Sequence, residues 1–393
     1  MRYRETHPWI SFSLPPLGPN EDLWLLLGEA KSKCEHIANS VLAPEISNCL
    51  HVISLAKGAL ATNAIEGNTL TEAEVIKQVA AEPLDLPPSQ EYLAQETANI
   101  IDACNKITKA FKGGTPIALS GETIKAFNHL VLNNLKLEAR VKPGEIRTYG
   151  VAVANRYEAP PAEECEYLLQ RLCDWLNKDE MFQVPAGKPS MVMVYAFLKA
   201  VLAHLYLAWI HPFGDGNGRT ARLVEFFLLI ASSVPAPAAH LFSNHYNKTR
   251  TEYYRQLDQA SKSGGDVLPF LEYALQGFVD GLAAQLKYIQ FQQWELAWKD
   301  YVHTRLPDDS TRIKRRRHLV LDLSAHTKPV AFDKLLEISP RIALDYANRH
   351  PRTLSRDLQK LMEMQLIRFE DGYIANRGIV LGMLPFVADP RTK

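Results

Sequence analysis

The chain has 393 residues, enough for two to three domains of about 150 residues each. Hydrophobic residues make up 47% and charged residues 22%, proportions typical of a soluble globular protein, which excludes the disordered and fibrous classes. Lysine and arginine total 44, as do aspartate and glutamate, so no net charge indicates a nucleic acid or a membrane as partner. The five cysteines form no close Cys-x-x-Cys pair, which favours reduced thiols in a cytoplasmic protein.

Polar and charged residues follow Met1 directly, so the sequence predicts no targeting segment. Two apolar runs, at 191–210 and 223–241, have the length of membrane spans. The first contains Lys199 and the second contains Glu225, and a spanning helix tolerates few such residues. We therefore expect both runs to form core helices, with no membrane partner.

The spacing of apolar residues predicts helices through most of the chain. Thr71 and Glu74 have the spacing of a capping box, which would start one of them. Between residues 141 and 161 the pattern changes to turn residues around a short alternating segment, which is typical of a hairpin or flap. The fold class expected is mainly α with a short β-hairpin flap. The helices are expected at about 45–64, 91–111, 120–135, 162–177, 188–210, 217–232, 248–262 and 267–300.

Composition changes near residue 310. From there onward the chain has 16 Lys and Arg against 9 Asp and Glu, a net charge of +7, so the first 309 residues have −7. This asymmetry indicates a separate C-terminal module. Within it the pattern predicts three short helices, at 330–336, 342–347 and 353–364, and then a hairpin around Asp371-Gly372. Three helices followed by a hairpin are the outline of a winged helix-turn-helix.

The most informative segment is the loop from His211 to Arg222, between two strongly apolar helices. Pro212 disfavours helical geometry at His211, which places the imidazole at a helix end facing the loop. A histidine there has the near-neutral pKa wanted of a general base. Three alternate glycines follow and let the backbone approach a ligand closely. The loop is therefore a candidate site for chemistry.

The helix that begins near Asn217 presents unpaired N–H groups and the positive end of its dipole to this loop, which predicts an anion site. Arg219 and Arg222 lie on one side of its first turns and can reach phosphate oxygens. Asp215, the carboxylate inside the loop, is placed to hold Mg²⁺ against those phosphates. A plain turn would not need these residue types together, and the chain has neither a Walker A loop nor a dinucleotide fingerprint.

The stretch from His211 to Arg219 matches every defined position of H-P-F-x-[DE]-G-N-[GK]-R. The chain thereby resembles the Fic-domain family, whose all-helical core transfers a nucleotide monophosphate, normally AMP from ATP, to a hydroxyl of a target protein. The resemblance implies that His211 deprotonates the Ser, Thr or Tyr hydroxyl and that Asp215 binds Mg²⁺. Gly218, where Doc-like kinases of the superfamily carry Lys, favours nucleotidyl over phosphoryl transfer. The loop residues implied to contact ATP are Gly214, Asp215, Gly216, Asn217, Gly218, Arg219 and Arg222.

Two other segments extend the resemblance. Residues 144–161 resemble the family's flap, which aligns the target by strand addition. Tyr253 and Tyr254 resemble the adenine-side segment, although a tyrosine pair at the start of an amphipathic helix is by itself more often part of the core. Some relatives have Asn where this chain has Ser261. The residues implied to contact ATP here are Val153, Ala154, Asn155, Arg156, Tyr253 and Tyr254.

A second motif, Thr62-Asn-Ala-Ile-Glu66-Gly67, resembles the inhibitory motif [ST]-x-x-x-E-[GN] of Fic proteins whose inhibitory helix precedes the core. Thr62 and Glu66 are four residues apart, hence on one helix face, and Gly67 ends the helix. The resemblance implies that Glu66 pairs with Arg222 and takes the place of the ATP γ-phosphate, which puts Glu66 in the ATP site. By itself, a glutamate near a helix end is usually a solvated side chain.

The segment from Arg352 to Leu361 resembles the recognition helix of a winged-helix tail. Arg352, Ser355, Arg356 and Gln359 would then be exposed for a DNA groove. Winged helices also dock proteins or form dimers, so a homodimer stays open as an alternative.

The resemblance spans nearly the whole chain and implies four parts. They are an N-terminal helical region with the inhibitory motif (1–105), the Fic catalytic core (106–290), a linking helix (291–309) and the winged-helix module (310–393). The function it favours is an adenylyltransferase that uses ATP and Mg²⁺, modifies a hydroxyl of a target protein and of itself, and is inhibited by Glu66. Two alternatives stay open: a nucleotide-sensing DNA-binding regulator, and an enzyme that removes AMP from proteins.

Overall fold

The computed structural model describes residues 1–15, 17–18, 20–111, 118–153 and 157–381. The contacts divide the chain into two compact units, Met1–Leu286 and Lys287–Lys393. Helices dominate the described residues, which confirms the mainly α fold. The helices that begin in the first unit are α1 (Tyr3–Thr6), α2 (Glu21–Ala38), α3 (Pro44–Ala64), α4 (Glu72–Val79), α5 (Glu91–Phe111), α6 (Gly121–Val131), α7 (Cys165–Lys178), α8 (Met191–Ile210), α9 (Asn217–Ala231), α10 (Leu241–Lys248), α11 (Arg250–Lys262) and α12 (Leu268–Arg305).

The centre of the first unit is α8, which is mostly apolar and whose residues are mostly buried. Phe197, Val201 and Leu205 are fully buried, and α8 packs most extensively against α9, with further contacts to α2 and α7. By length and composition it is the one helix among the described residues that could cross a membrane, and most of it is buried inside the unit. The expected core position of residues 191–210 is confirmed.

Most predicted helices form within a few residues of their expected bounds. The capping box of α4 is present, since the Thr71 hydroxyl accepts from the Glu74 N–H at 3.3 Å and the Glu74 carboxylate accepts from the Thr71 N–H at 2.7 Å. The apolar run 223–241 is not one helix. Helix α9 ends at Ala231, and a proline-containing segment separates it from α10, because proline cannot continue a helix. The sequence pattern also missed α2.

The expected flap contains the strands β1 (Ala152–Val153) and β2 (Tyr157–Glu158), which pair antiparallel. The Tyr157 hydroxyl donates to the Trp209 carbonyl on α8 at 2.7 Å. On the other side, the ring nitrogen Nε2 of His7 lies 2.7 Å from the Glu158 carbonyl. The flap is therefore fixed at β2 to the core helix and to the N-terminal segment, and it lies close to the end of α8.

The second unit contains the end of α12 and, in order, α13 (Thr311–Leu323), α14 (Pro340–Tyr346), α15 (Arg352–Glu363), β3 (Ile367–Phe369), β4 (Tyr373–Ala375) and α16 (Gly378–Leu381). Strands β3 and β4 form the expected hairpin. The unit begins earlier than the expected residue 310, because residues 291–305 continue α12 and supply Trp298 and Val302 to this unit's core. The pattern also missed α13. The assignment of this unit as a winged helix stays a prediction.

A buried carboxylate, Asp357, joins α13, α14 and α15. It is 1% exposed, and its oxygens lie 2.7 Å from Nη2 of Arg315 and 2.6 Å from Nε of Arg316. The Tyr346 hydroxyl donates to the same carboxylate at 3.1 Å, and burial raises the pKa of that tyrosine well above its ordinary value. Part of the basic cluster at 312–317 is thus used inside the unit, where each charge has a partner.

We expect Asp357→Asn to destabilise the second unit by about 3 kcal/mol, because it leaves two buried guanidinium groups without their counter-charge. Hydrogen–deuterium exchange of the backbone amides in α13 and α15 measures this loss. Glu363→Gln is the matched control, since Glu363 lies on the same helix but pairs with Lys360 at the surface. That variant should exchange like the wild type. Unchanged protection in Asp357→Asn would contradict a structural role for the pair.

Candidate active site

The loop between α8 and α9 begins at His211, whose backbone adopts a left-handed conformation with φ 49° and ψ 56°. Its N–H still donates to the Leu207 carbonyl at 3.0 Å, so the ring sits at the end of α8 as expected from Pro212. Burial lowers the pKa of His211 to about 4, against the opposing effect of the Ala208 carbonyl. The imidazole is therefore neutral at pH 7 and has a ring nitrogen able to accept a proton.

The side chain of Asn217 braces the loop. Its Oδ1 accepts from the Phe213 N–H at 2.9 Å, and its Nδ2 donates to the Phe213 carbonyl at 2.9 Å. Phe213 itself is buried and forms an isolated β-bridge with Ile146 at the base of the flap. The Asn217 side chain thus holds the loop in shape. What Asn217 can offer to an anion is its backbone N–H, which lies in the first turn of α9.

Asn128 on α6 also holds the loop, a role that the sequence did not predict. Its Nδ2 donates to the Asp215 carbonyl at 2.9 Å and to the Thr220 hydroxyl at 3.2 Å, and its Oδ1 accepts from the Gly144 N–H at 2.9 Å. Gly216 adopts φ 74°, and a Cβ there would lie 3.1 Å from the Asn128 amide nitrogen. In the sequence, Asn128 is simply an asparagine within a predicted helix, and nothing there indicates that it contacts the loop.

Arg147 ties the flap to the catalytic loop. Its Nε donates to the His211 carbonyl at 2.8 Å, its Nη1 to the Tyr149 carbonyl at 2.7 Å and its Nη2 to the Pro160 carbonyl at 2.6 Å. Its backbone N–H also donates to the Pro212 carbonyl at 3.0 Å. The Arg147 guanidinium therefore holds the start of the flap against His211, the candidate general base.

Asp215 is the exposed carboxylate of the loop. Its Oδ1 accepts from the Gly216 N–H at 2.5 Å and lies 3.5 Å from Nη2 of Arg219. The part of the chain that the structure describes contains no cluster of three or more His, Cys, Asp or Glu side chains able to hold a metal by themselves. Mg²⁺ is commonly held by one or two carboxylates together with waters and substrate phosphates, so Asp215 is a candidate ligand for that cation.

The two arginines of α9 are both buried, and each contacts a carboxylate. Nη1 of Arg219 donates to Glu96 on α5 at 2.8 Å. Nη2 of Arg222 donates to the Glu66 carboxylate and, at 3.0 Å, to the Thr62 carbonyl. Burial would raise the pKa of Glu66, but the charge of Arg222 and its hydrogen bond outweigh that effect and lower it. The structure therefore brings together Thr62, Glu66 and Arg222, as expected, and adds Glu96.

Gly218 lies directly against this ion pair. A Cβ at this position would collide with Oε1 of Glu66 and would lie 3.2 Å from both Nη atoms of Arg222. Gly67, just after Glu66, adopts φ 99°, a conformation that glycine accepts readily. Gly67 therefore allows the turn after Glu66, and Gly218 leaves space for the Glu66 carboxylate beside Arg222.

The tyrosine pair divides between the core and the surface. The Tyr253 hydroxyl is buried and lies 2.8 Å from Nε2 of His204, whose Nδ1 lies 3.1 Å from the Glu225 carboxylate. Burial raises the pKa of Tyr253 well above its ordinary value. Tyr254 is 45% exposed, and its hydroxyl donates to the Ile65 carbonyl next to Glu66 at 3.3 Å. Tyr254, unlike Tyr253, thus has part of its ring open to a ligand.

The flap residues are only partly described. Val153 is half-buried in β1, whereas the expected ATP contacts Ala154, Asn155 and Arg156 lie outside the described residues. A cleft of about 600 Å³ lies beside the flap and is lined by Trp9, Tyr149, Tyr157 and Ser261, among others. It joins the flap to the end of α11, the helix that begins with the tyrosine pair.

Residues 118–229, which contain this loop and its supports, match the model of the Fic/DOC family. The chain therefore contains a domain of the Fic/DOC family. It is 30% identical over 219 residues to the protein adenylyltransferase fic-1 of Caenorhabditis briggsae, covering 54% of this chain and 37% of that one. It is 28% identical over 214 residues to the protein adenylyltransferase Fic of Nematostella vectensis, covering 54% and 44%. The chain thus spans less than half the length of these curated relatives.

Solved structures share the fold. A Fic family protein from Desulfovibrio desulfuricans G20 superposes with a TM-score of 0.55 at 20% identity, over 91% of this chain and 93% of that one. Residues 134–508 of Fic-1 from Caenorhabditis elegans superpose with a TM-score of 0.54 at 23% identity, over 70% and 75%. At these identities the likeness concerns the fold, and the all-helical Fic core expected from the sequence is confirmed.

We expect the His211 imidazole to stay neutral from about pH 8 to about pH 5, because its pKa is lowered to about 4. A group with a lowered pKa gains its proton only as the pH falls through that lower value. Side-chain ¹⁵N NMR of the histidines, with His211→Ala to assign the signal, measures the titration. A midpoint near 6.5 would contradict the burial that the structure gives this ring.

Proposed function

We propose that this chain is an autoinhibited protein adenylyltransferase, which transfers AMP from ATP to a Ser, Thr or Tyr hydroxyl of a target protein and of itself. One observation carries the proposal: a neutral His211 lies next to a helix N-terminus with two buried arginines, one of which is held by Glu66. A base beside an anion site suits the transfer of a phosphate-bearing group to a hydroxyl. The names of the curated relatives agree with this activity.

In the proposed reaction the hydroxyl oxygen bonds to the α-phosphorus of ATP, the bond from that phosphorus to the bridging oxygen breaks, and pyrophosphate leaves. His211 accepts the hydroxyl proton, since its lowered pKa keeps a ring nitrogen unprotonated at neutral pH. The N–H groups at the start of α9 and the Arg219 guanidinium bind the phosphate oxygens and offset their charge. Arg147 and Asn128 hold the loop in the shape that this alignment needs.

We propose Mg²⁺ as the cofactor, held by Asp215 together with the phosphates of ATP. Among the described residues, the hydrogen bonds of this carboxylate use Oδ1, and the side chain is 48% exposed. One carboxylate plus substrate phosphates is a common way for a protein to hold Mg²⁺. When bound, the cation would neutralise phosphate charge as pyrophosphate departs.

We propose that Glu66 inhibits the reaction by occupying the phosphate-binding edge of Arg222. A guanidinium that already donates to a carboxylate cannot give the same N–H groups to a γ-phosphate. Glu66 follows the end of α3 on a turn, and its side chain is 37% exposed, so it can move away without unfolding a helix. ATP would then bind in a productive orientation only when Glu66 leaves Arg222.

Glu66→Gly should raise AMP transfer by about tenfold to about a hundredfold, because it frees Arg222 for phosphate. Self-labelling with α-³²P-ATP measures this without a known target protein. Adding Arg222→Ala to Glu66→Gly should remove the gain, since the arginine is the group released. An unchanged rate in Glu66→Gly would make the N-terminal motif a helix end without inhibitory function.

Gly218→Ala is a second way to release Arg222 from Glu66, because the added methyl group would occupy the space of the Glu66 carboxylate. Alanine is favoured over glycine inside a helix, so the backbone should accept the change. We expect Gly218→Ala to weaken the inhibition, and its effect should not add to that of Glu66→Gly. Full additivity would contradict the steric contact between Gly218 and Glu66.

In the Glu66→Gly protein, His211→Ala should abolish transfer but change the affinity for ATP by only a few-fold, because the anion site is intact. Asp215→Ala should lose the Mg²⁺-dependent part of the activity, and raising the ATP concentration alone should not restore it. Calorimetric titration of ATP and self-labelling with and without EDTA separate the two roles. Full activity of Asp215→Ala in EDTA would contradict the metal assignment.

A second function, DNA binding by the second unit, is favoured by the exposed face of α15. Arg352, Ser355, Arg356 and Gln359 are exposed, while the acidic Asp357 is buried on the opposite face and paired with arginines. Such a face presents positive charge and hydrogen-bond donors of the kind that contact a duplex groove.

Arg352→Ala with Arg356→Ala should reduce duplex binding in gel-shift titrations of genomic fragments, and the salt dependence should fall by about two phosphate contacts. Lys334→Ala is the control, because Lys334 lies elsewhere in the unit and pairs with Glu337. Sedimentation of the same samples tests the alternative that the chain forms a homodimer. Absence of any shift at low salt would leave the second unit without this function.

A further inference from the structure

Glu96 is a carboxylate that neither the motifs nor the family signature includes, although it reaches the centre of the site. It lies in the second turn of α5, a 21-residue helix, and its side chain is 18% exposed. Its Oε1 accepts from Nη1 of Arg219 at 2.8 Å. Its Oε2 accepts from Nδ2 of Asn68 at 2.9 Å. One carboxylate therefore joins the phosphate-binding arginine to the segment just after Glu66.

Asn68 connects this carboxylate to the turn that carries Glu66. Its Nδ2 also donates to the Leu93 carbonyl at 2.9 Å, and its Oδ1 accepts from the Leu70 N–H at 3.0 Å. Its backbone N–H donates to the Asn63 carbonyl at 3.1 Å, which closes the turn after α3. All these bonds are local to the turn or to α5, so Asn68 fixes the position from which Glu66 reaches Arg222.

The two carboxylates differ in what they can do. Glu66 follows a helix end and is more exposed, so it can be displaced from Arg222. Glu96 is inside a helix that packs on α3 and α9, so its backbone is held in place beside Arg219. Its charge also compensates that of Arg219, which is 6% exposed and whose other carboxylate partner, Asp215, is farther away at 3.5 Å.

We propose that Glu96 is a positioning residue that couples the phosphate site to the inhibitory turn. It holds Arg219 in the orientation that binds phosphate, and through Asn68 it keeps Glu66 within reach of Arg222. This inference deepens the proposed function and rests on it, because the roles of the phosphate site and of the inhibitory turn come from that proposal. The contacts that carry it do not involve Asp215 or His211, so it can be tested apart from the chemical step.

The first test removes the link on the inhibitory side. Asn68→Ala leaves every proposed catalytic group in place but frees the turn. With Glu66 present, it should raise self-labelling by about fivefold or more and tighten binding of Mg²⁺ with an ATP analogue carrying a methylene group between the α- and β-phosphates. In the Glu66→Gly background, the same change should alter both by less than about twofold. A residue with a general structural role would reduce activity in both backgrounds.

The second test removes the link on the phosphate side, in the Glu66→Gly background. Glu96→Gln cannot accept from both partners, because its amide nitrogen would face either Arg219 or Asn68, and both are donors there. We expect binding of the analogue to weaken by about tenfold and the KM for ATP to rise with it. Asp102→Asn is the matched control, since Asp102 lies on the same helix and pairs with Lys106 at the surface. It should change neither quantity by more than about twofold.

Thermal unfolding of each variant shows whether it is folded, and if Glu96→Gln is not, the Asn68→Ala comparison decides. The coupling is overturned if Asn68→Ala has the same effect with and without Glu66, or if a folded Glu96→Gln binds the analogue as tightly as its parent. A different result would show that the proposed function is wrong: the Glu66→Gly protein would bind the analogue but label no hydroxyl. The binding comparisons would still test the coupling in that case.

Discussion

The charge of Arg222 is the constraint on which the rest of the site depends. Its guanidinium is buried under α3, and a buried charge requires a counter-charge or a bound anion. In this structure Glu66 and the Thr62 carbonyl meet that requirement. An anion that binds Arg222 must therefore compete with Glu66 for its guanidinium, which is the basis of the proposed inhibition. The glycine at 218 makes room for this pairing.

Polar side chains from several elements hold the backbone of the loop between α8 and α9. Asn128 bonds the loop from α6, Arg147 from the base of the flap and Asn217 from within the loop. These bonds satisfy carbonyl and N–H groups that a buried irregular segment would otherwise leave without partners. Among the loop glycines, Gly216 adopts a left-handed conformation with φ 74°. Preorganisation of this kind suits a site that must align a phosphate with an incoming hydroxyl.

The second unit shows that a positively charged sequence does not by itself make a positively charged surface. Arg315 and Arg316 fall in the basic cluster near residue 310, yet both contact the buried Asp357. Arg352 and Arg356 on α15, in contrast, are exposed.

The sequence by itself determined the local features of this protein. Helix periodicity located most helices, and Pro212 placed His211 at the end of α8. The spacing of Thr62 and Glu66 predicted that both would be near Arg222, although α3 ends at Ala64 and Glu66 lies on the following turn. Tertiary structure alone decided which distant groups meet, because hydrogen bonds over large sequence separations have no local pattern. Glu96 contacts Arg219, Asn128 contacts Asp215, and Tyr253 turns its hydroxyl into the core although it adjoins the exposed Tyr254. Packing of α5, α6 and α9 fixes these contacts, and no spacing along the chain encodes it.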